Sequence, residues 1–504
     1  MRSALFLAGL LLVIALAGVE ASSLQGCDEA YYAQMARGML ERRDWLVPRY
    51  DGAAPLDKPP LLLWLVAASF AALGVGDLQA RLPLIVLGFA VPMALFGWAR
   101  RSGEAYAFVA AATLGTTLLY VQLQHAVMTD LVAFAGFVAF AAALLRAHEG
   151  PGWGWLVGLG LGMAALAKGA LAALLVLASL PFVVVHRGVL SRAFLVRCIP
   201  GLLPATGWYA AMAARFGWQF FDVHFGFFLF RLAAEGIFPP NPLGPFFYVA
   251  SALWRFLPWW PLLPGALWWG YRRARRGDPM AVWAVGFCAV YFVAITLMRT
   301  KHDHYALPLT LPAALLTAGW CTAAEPPSRP DRVCAALYGT LAALVALAAG
   351  LVLTGALPAV ARPGPQVAVG FLVACGFAGA ALLVVRGRRE GAWGTVLVCS
   401  VLAYAVAGAG LRPWDAEPGL RVVAGALPQG ADVTYVAEAP PEVAFCPYSA
   451  LRFRLDRPPR VLSPQQFGSA GPGWYVGRVG VLHPAPRDRV VFRGSGWVLV
   501  RRPD

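Results

Sequence analysis

Of the 41 Lys and Arg residues in this chain, lysine occurs only at Lys58, Lys168 and Lys301. Around these positions the sequence gathers side chains capable of chemistry. Asp28 and Glu29 are adjacent, with Tyr32 one helical turn on; Asp57 precedes Lys58; His125 and Asp130 share the stretch HAVMTD; and KHDHY brings together Lys301, His302, Asp303, His304 and Tyr305. His224, Arg231 and Glu235 lie in one further interruption of the apolar pattern. A carboxylate above apolar surface can serve as a general base, its pKa set by desolvation. Lysine and arginine suit an anionic head group such as a phosphate at the water–lipid boundary. A lipid-linked phosphate donor needs both an apolar groove for its chain and cations for the leaving phosphate.

Simpler roles exist for several of these residues. Asp28 can cap a surface helix, Pro59-Pro60 can start one while Lys58 snorkels, and Asp130 can be an N-terminal helix charge. Lys168, followed by Gly169, is harder to explain this way, because arginine does nearly all the ordinary surface work in this chain. The His-Asp-His run looks like a metal cluster, but three consecutive residues rarely converge on one ion.

The elements that must position these groups are membrane helices. The chain has 504 residues, is 59% hydrophobic and has a mean hydropathy of +0.64. It contains about a dozen apolar runs long enough to cross a bilayer, which excludes a soluble fold, and their lack of alternation excludes a barrel. The pattern predicts an all-α polytopic membrane protein with about thirteen spans. They fall near 4–20, 81–99, 104–122, 131–147, 153–168, 170–186, 194–212, 246–270, 279–298, 304–321, 332–354, 367–386 and 392–411. The first run, LFLAGLLLVIALAGV, fits either a retained helix or a signal peptide; both leave the following residues outside.

Arg100-Arg101, Arg187 and Arg192, RRARR at 272–276, SRPDR at 328–332 and RGRRE at 386–390 then share the cytoplasmic side. Counting Pro60–Leu73 as a span would reverse every later loop, so it is expected to lie on the outer surface beside an amphipathic helix at 28–42. Outer loops at 22–80 and 213–245 then carry candidate residues, and all three lysines map to outer helix ends, where the orientation rule does not expect positive charge. The middles of the spans are nearly free of ionisable groups, which argues against a pump or transporter. Residues 1–411 form the membrane domain in this reading. Residues 412–504 form a small extracytoplasmic α/β domain, with strands expected at DVTYVAE, LRFRL, GWYVGRVGVL and RVVFRGSGWVLV. The formal charge of +15 is spread among loops rather than on one basic face, so no nucleic-acid partner is expected. The 8 cysteines show no regular spacing and mostly sit in apolar runs as small core residues.

With these residues located, the chain resembles the GT-C class of membrane glycosyltransferases, in the superfamily of the lipid A aminoarabinose transferases and protein O-mannosyltransferases. The resemblance rests on Asp28-Glu29, Tyr32, RRDWLVPRYDGAAPLDKPPLLLW, Gly74 and Arg81-Leu82-Pro83. HAVMTDLVAF, LAKGALAALL, FLPWWPLLP at 256–264, RTKHDHYALPLTLPAALL and YSALRFRLDRP extend it to about residue 460. It implies transfer of one sugar from a polyprenyl (undecaprenyl) phosphate donor, with inversion, on the outer side of a bacterial inner membrane. Asp28 matches the catalytic acid, with Glu29 and Asp130 in support. Lys58 matches a donor-phosphate ligand, with Arg231 and Lys301 as helpers, and Tyr32, Lys168, His302 and Tyr305 complete the substrate site.

The relatives' metal site carries a Glu-His pair where this chain has Phe227-Phe228, so only Asp57 and His224 remain for a divalent metal. The acceptor implied is a lipid such as lipid A or another envelope glycolipid. The alternatives are a protein hydroxyl and, outside enzymes, a polyprenyl-lipid flippase binding the same head group.

Overall fold

A computed structural model of the chain describes residues 2–19, 23–24, 28–226, 231, 233–236, 241–356, 363–410, 418–439 and 445–503. The membrane domain begins with α1 (Arg2–Leu16), whose Leu7, Leu11 and Ile14 are buried. Then come the short helices α2 (Glu29–Arg42) and α3 (Leu61–Leu73) and the long α4 (Asp77–Ala99). Next are α5 (Glu104–Thr116), α6 (Leu118–Gln124), α7 (Thr129–Leu145), α8 (Gly154–Lys168), α9 (Leu171–Val185), α10 (Arg192–Phe216) and α11 (Trp218–Gly226). The remainder is α12 (Phe247–Arg255), α13 (Leu263–Ala274), α14 (Pro279–Leu297), α15 (Thr310–Cys321), α16 (Arg329–Leu353), α17 (Pro363–Val385) and α18 (Arg389–Gly410). Among the described residues five helices are long and apolar enough to cross a bilayer, or six when the bent pair α5–α6 counts as one. This is a multi-pass helical membrane protein.

Three expected spans are not single α-helices; the one at 304–321 begins as a 3₁₀ segment, Asp303–Leu309, before α15. The one at 104–122 bends by 64° at Thr117, which takes an extended conformation. The Thr116 and Thr117 hydroxyls bond back to the carbonyls of Ala112 (2.6 Å) and Thr113 (2.8 Å). Other helices take up the freed groups: Leu118 N–H donates to the Leu257 carbonyl at 2.8 Å, Tyr404 OH to the Thr116 carbonyl at 3.0 Å and Trp259 Nε1 to Thr116 Oγ1 at 3.0 Å. Buried backbone must be satisfied in this way wherever a membrane helix breaks. The span expected at 246–270 divides into α12 and α13 across Pro258 and Pro261, each of which lacks the N–H that a continuous helix needs.

Helix packing relies on small residues. A Cβ on Gly136 of α7 would lie 2.6 Å from the Gly160 carbonyl of α8, so only glycine permits this approach. As expected, α2 and α3 form a pair, packing on each other.

The C-terminal α/β domain adds α19 (Pro418–Gly425), α20 (Phe445–Arg454), α21 (Pro464–Gly468) and five strands. They are β1 (Val433–Val436), β2 (Arg460–Leu462), β3 (Gly473–Arg478), β4 (Arg489–Gly494) and β5 (Trp497–Arg502), in the order β2-β1-β3-β5-β4. β1 runs parallel to both neighbours, whereas β5 is antiparallel to β3 and β4. The stretch LRFRL, expected as a strand, is instead the end of α20, where both leucines, Phe453 and Arg452 are buried. Its alternation reflects arginines with distant partners rather than a solvent face.

Candidate active site

The first loop is built from its own motif residues. Asp44 accepts the N–H groups of Leu46 (3.1 Å) and Val47 (3.2 Å). Trp64 Nε1 donates to the Trp45 carbonyl at 2.6 Å, and Trp208 Nε1 to the Leu46 carbonyl at 3.0 Å. The Asp-Trp and Lys-Pro-Pro…Trp segments are thus fastened to each other and to α10. Asp28 occupies the N-cap of α2 but makes no side-chain capping bond, so its carboxylate is not committed to the helix. The neighbouring Glu29 is committed: it is buried and receives Arg81 Nε (3.0 Å) and Nη2 (2.9 Å) and the Val127 N–H (2.9 Å). Glu29 therefore fixes Asp28 in place by joining α2, α4 and the segment before α7, and is a positioning residue.

Asp130, in the first turn of α7, forms an ion pair with Lys168 at the end of α8. Its second oxygen is buried without a partner among the described residues. The Lys168 ammonium lies 4.9 Å from the centre of the Tyr305 ring. Gly169, at φ +48, ends α8, and a Cβ there would stand 2.8 Å from His224 Nε2. Tyr305 and His304 belong to a 3₁₀ strap of about two turns, Asp303–Leu309, leading into α15. Asp303 fastens the strap by accepting from Ser251 Oγ (2.6 Å) and Arg255 Nε (2.8 Å) of α12, while Arg255 also donates to Gln122 of α6 (2.5 Å). These bonds hold the Asp303 carboxyl below its usual pKa even though burial acts the other way.

Asp130, Lys168, His304 and Tyr305 stand at one end of a cavity of about 320 Å³. Its remaining walls are apolar, including Phe134, Phe137, Leu171, Leu174, Leu177 and Ile295, with Tyr291 among them. Such a space can take the part of a lipid chain nearest its head group, with the head group facing the polar end.

Asp28 is open to solvent yet hemmed in by protein on most sides. That crowding raises its pKa, opposed by Lys58, reinforced by Asp130 and opposed again by Lys168 and His302. Asp28, Lys58, Asp130, Lys168 and His302 thus form one electrostatic cluster. Burial opposes the Lys58 ammonium, but its ion pair with Asp57 at 2.8 Å, with Tyr31 and Asp28 nearby, more than offsets this and raises its pKa. Tyr32 is buried, with Lys58 Nζ 6.0 Å from its ring centre. Burial and Lys168 push the His302 pKa down, so its imidazole is neutral at pH 7.

Two expected phosphate ligands are placed differently. Lys301 Nζ donates to the Thr296 and Met298 carbonyls, both at 2.7 Å, and so caps α14. Arg231 is exposed and does not line the cavity.

The metal expectation for Asp57 and His224 does not fit the arrangement. His224 is fully buried, with Nδ1 on the Leu56 carbonyl (3.0 Å) and Nε2 on the Tyr209 hydroxyl (3.1 Å), so both ring nitrogens are engaged. Among the described residues no three His, Cys, Asp or Glu side chains are arranged so as to hold a metal ion. His224 is a prop between α10 and the loop before Lys58. Sequence reasoning also missed Tyr291 and the Arg255–Asp303 lock; an arginine beside the prolines that split α12 from α13 was the available signal for the latter.

Comparison with known proteins agrees with this geometry. Residues 57–205 match the family described as dolichyl-phosphate-mannose-protein mannosyltransferase. The undecaprenyl phosphate-alpha-4-amino-4-deoxy-L-arabinose arabinosyl transferase of Serratia proteamaculans is 28% identical over 408 residues, covering 75% of this chain and 72% of that protein. The protein of the same name from Edwardsiella ictaluri is 29% identical over 308 residues, covering 58% and 54%. The crystal structure of ArnT from Cupriavidus metallidurans bound to undecaprenyl phosphate superposes with a TM-score of 0.77 at 21% identity, covering 99% of this chain and 98% of that one, which establishes the shared fold. The shared fold, the family match beginning in the first loop and these similarities support a membrane glycosyltransferase resembling the GT-C lipid A aminoarabinose transferases.

Proposed function

We propose that this enzyme moves one sugar from an undecaprenyl-phosphate donor to a lipid acceptor such as lipid A, on the periplasmic side of a bacterial inner membrane. The observation that carries the reading is the cavity, apolar along most of its walls and bearing Asp130, Lys168, His304 and Tyr305 at one end. The donor's first isoprene units lie along α7, α9 and α14, and its sugar phosphate reaches the polar cluster.

An acceptor oxygen attacks the anomeric carbon while the bond from that carbon to the phosphate oxygen breaks, inverting the configuration. The acceptor proton goes to Asp28, and undecaprenyl phosphate leaves with its new negative charge beside Lys58. Lys168 and Asp130 hold the polar end of the cavity. Tyr32, His302 and Tyr305 contact the sugar. An acceptor phosphate already ionised at neutral pH asks less of Asp28 than a hydroxyl does. The outward orientation is supported by Cys446, which is disulfide-bonded, because such bonds persist in oxidising compartments.

The test is mass spectrometry of envelope lipids and proteins from cells expressing the wild type or Asp28→Asn at equal levels. A single-sugar mass on a lipid, absent from the variant, is the expected result. The same mass on peptides would move the acceptor to protein, and no difference in either fraction would overturn the transferase reading.

A further inference from the structure

None of the described residues lining the cavity comes from the C-terminal domain. That domain also has its own core, including Leu420, Val433, Tyr435, Leu451, Trp497 and Leu499, while Phe453 of α20 reaches into the membrane-domain core, its ring 6.3 Å from that of Phe70 on α3. Yet α20 grips the first loop at two separated points, and each leads to a reacting group.

At the first point, Arg452 Nε donates to Asp51 Oδ1 (2.7 Å) and the Tyr448 hydroxyl to Asp51 Oδ2 (3.2 Å). The Tyr50 hydroxyl is 3.2 Å from Ser449 Oγ. Asp51 has a φ of +46 in a turn closed by reciprocal Tyr50–Ala53 backbone bonds of 2.9 and 3.0 Å. Aspartate visits this left-handed conformation more readily than most non-glycine residues, and here the turn bonds and the α20 contacts fix it. The Tyr50 ring packs 4.8 Å from that of Tyr31 on α2, and the chain beyond the turn runs directly to Asp57 and Lys58.

At the second point, Asp77 in the first turn of α4 accepts Arg454 Nη2 on both oxygens (3.0 and 2.9 Å) and Arg421 Nε at 3.1 Å. One helical turn further, Arg81 holds Glu29, the residue next to Asp28. A third contact, Arg37 with Asp456 at 3.1 Å, involves an exposed carboxylate and counts for little.

We infer that the C-terminal domain is a two-point clamp that sets the spacing of Asp28 and Lys58, with Arg452 and Arg454 as positioning residues for the transfer reaction. The inference rests on the function proposed above. One arm acts through Asp51 on the Lys58 end of the loop, and the other through Asp77, Arg81 and Glu29 on Asp28. Releasing either arm leaves both domains folded but lets the base and the phosphate ligand drift apart, and displacements of this size are costly to a reacting geometry.

The test uses the full chain, purified and monodisperse, in four forms: wild type, Arg452→Gln, Arg454→Gln and the exchange Asp51→Arg with Arg452→Asp. The readouts are kcat, KM for the donor and the acid limb of kcat/KM. Each single variant is expected to lower kcat about 10- to 100-fold with donor KM little changed. Each should also move the acid limb to higher pH. Of the groups facing Asp28, namely Lys58, Asp130, Lys168, His302 and Tyr32, it is Lys58 whose stabilising charge recedes. The exchange restores kcat in part. Single variants that melt earlier but keep wild-type kcat and acid limb would overturn the clamp, as would loss of kcat in the Asp51–Arg452 arm alone. A wild-type chain that moves no sugar would overturn the transfer reading and the clamp with it.

Discussion

At the residue scale the chemistry turns on one carboxylate that is left free and one that is not. Asp28 and Glu29 are neighbours in sequence, but the uncapped Asp28 faces Lys58, whereas Glu29 is consumed by Arg81 and the Val127 N–H. The raised Asp28 pKa has a testable sign. A base must be ionised, so activity falls as pH drops through the folded-state value, which lies above the ordinary aspartate value of about 3.9. The acid limb of kcat/KM is therefore expected above that value, and Lys58→Met should move it higher still, because Lys58 is the group that most lowers the Asp28 pKa. A limb at or below the ordinary value would remove Asp28 as the base. Asp28, Asp130, Lys168 and the KHDHY run could be found in the sequence because lysine is so rare here. The tie from Glu29 to Arg81 could not, since 52 residues separate the partners and nothing local distinguishes a catalytic acid from an anchoring one.

At the scale of elements, the site is a junction of helix ends. The Asp130–Lys168 pair joins the start of α7 to the end of α8, which pack too tightly at Gly136 and Gly160 to admit a Cβ. Replacing Lys168 by Met leaves a buried carboxylate with no countercharge and should cost about 3–5 kcal/mol of stability. A second change, Asp130→Asn, should return most of that stability but not turnover; thermal unfolding in detergent beside a transfer assay separates the two. If Lys168→Met unfolds like the wild type, Asp130 is not held by this pair. Hydropathy length marked out most of these helices, and the helix expected within Pro60–Leu73 is α3. The breaks at Thr117 and Pro258 escaped because each is stabilised across helices, by Leu257 and Tyr404 for the first. LRFRL misled for a related reason: its alternating arginines reach Asp51 and Asp77, 401 and 377 residues away, and a local pattern cannot distinguish a distant ion pair from a solvated face.

At the scale of the molecule, a helical membrane domain supplies an apolar cavity, and a C-terminal α/β domain packs against the loop that carries Asp28 and Lys58. The charged groups gather at one end of the cavity while its walls remain apolar, an arrangement suited to a substrate that is half lipid. The most direct measurement places the purified wild type and Asp28→Asn in liposomes containing an undecaprenyl-phosphate-linked sugar and lipid A, with products weighed by mass spectrometry. The account predicts that the wild type adds one sugar to lipid A and releases undecaprenyl phosphate in equal amount, while the variant leaves the donor intact. An unconsumed donor with the wild type, or equal transfer by both proteins, would contradict it.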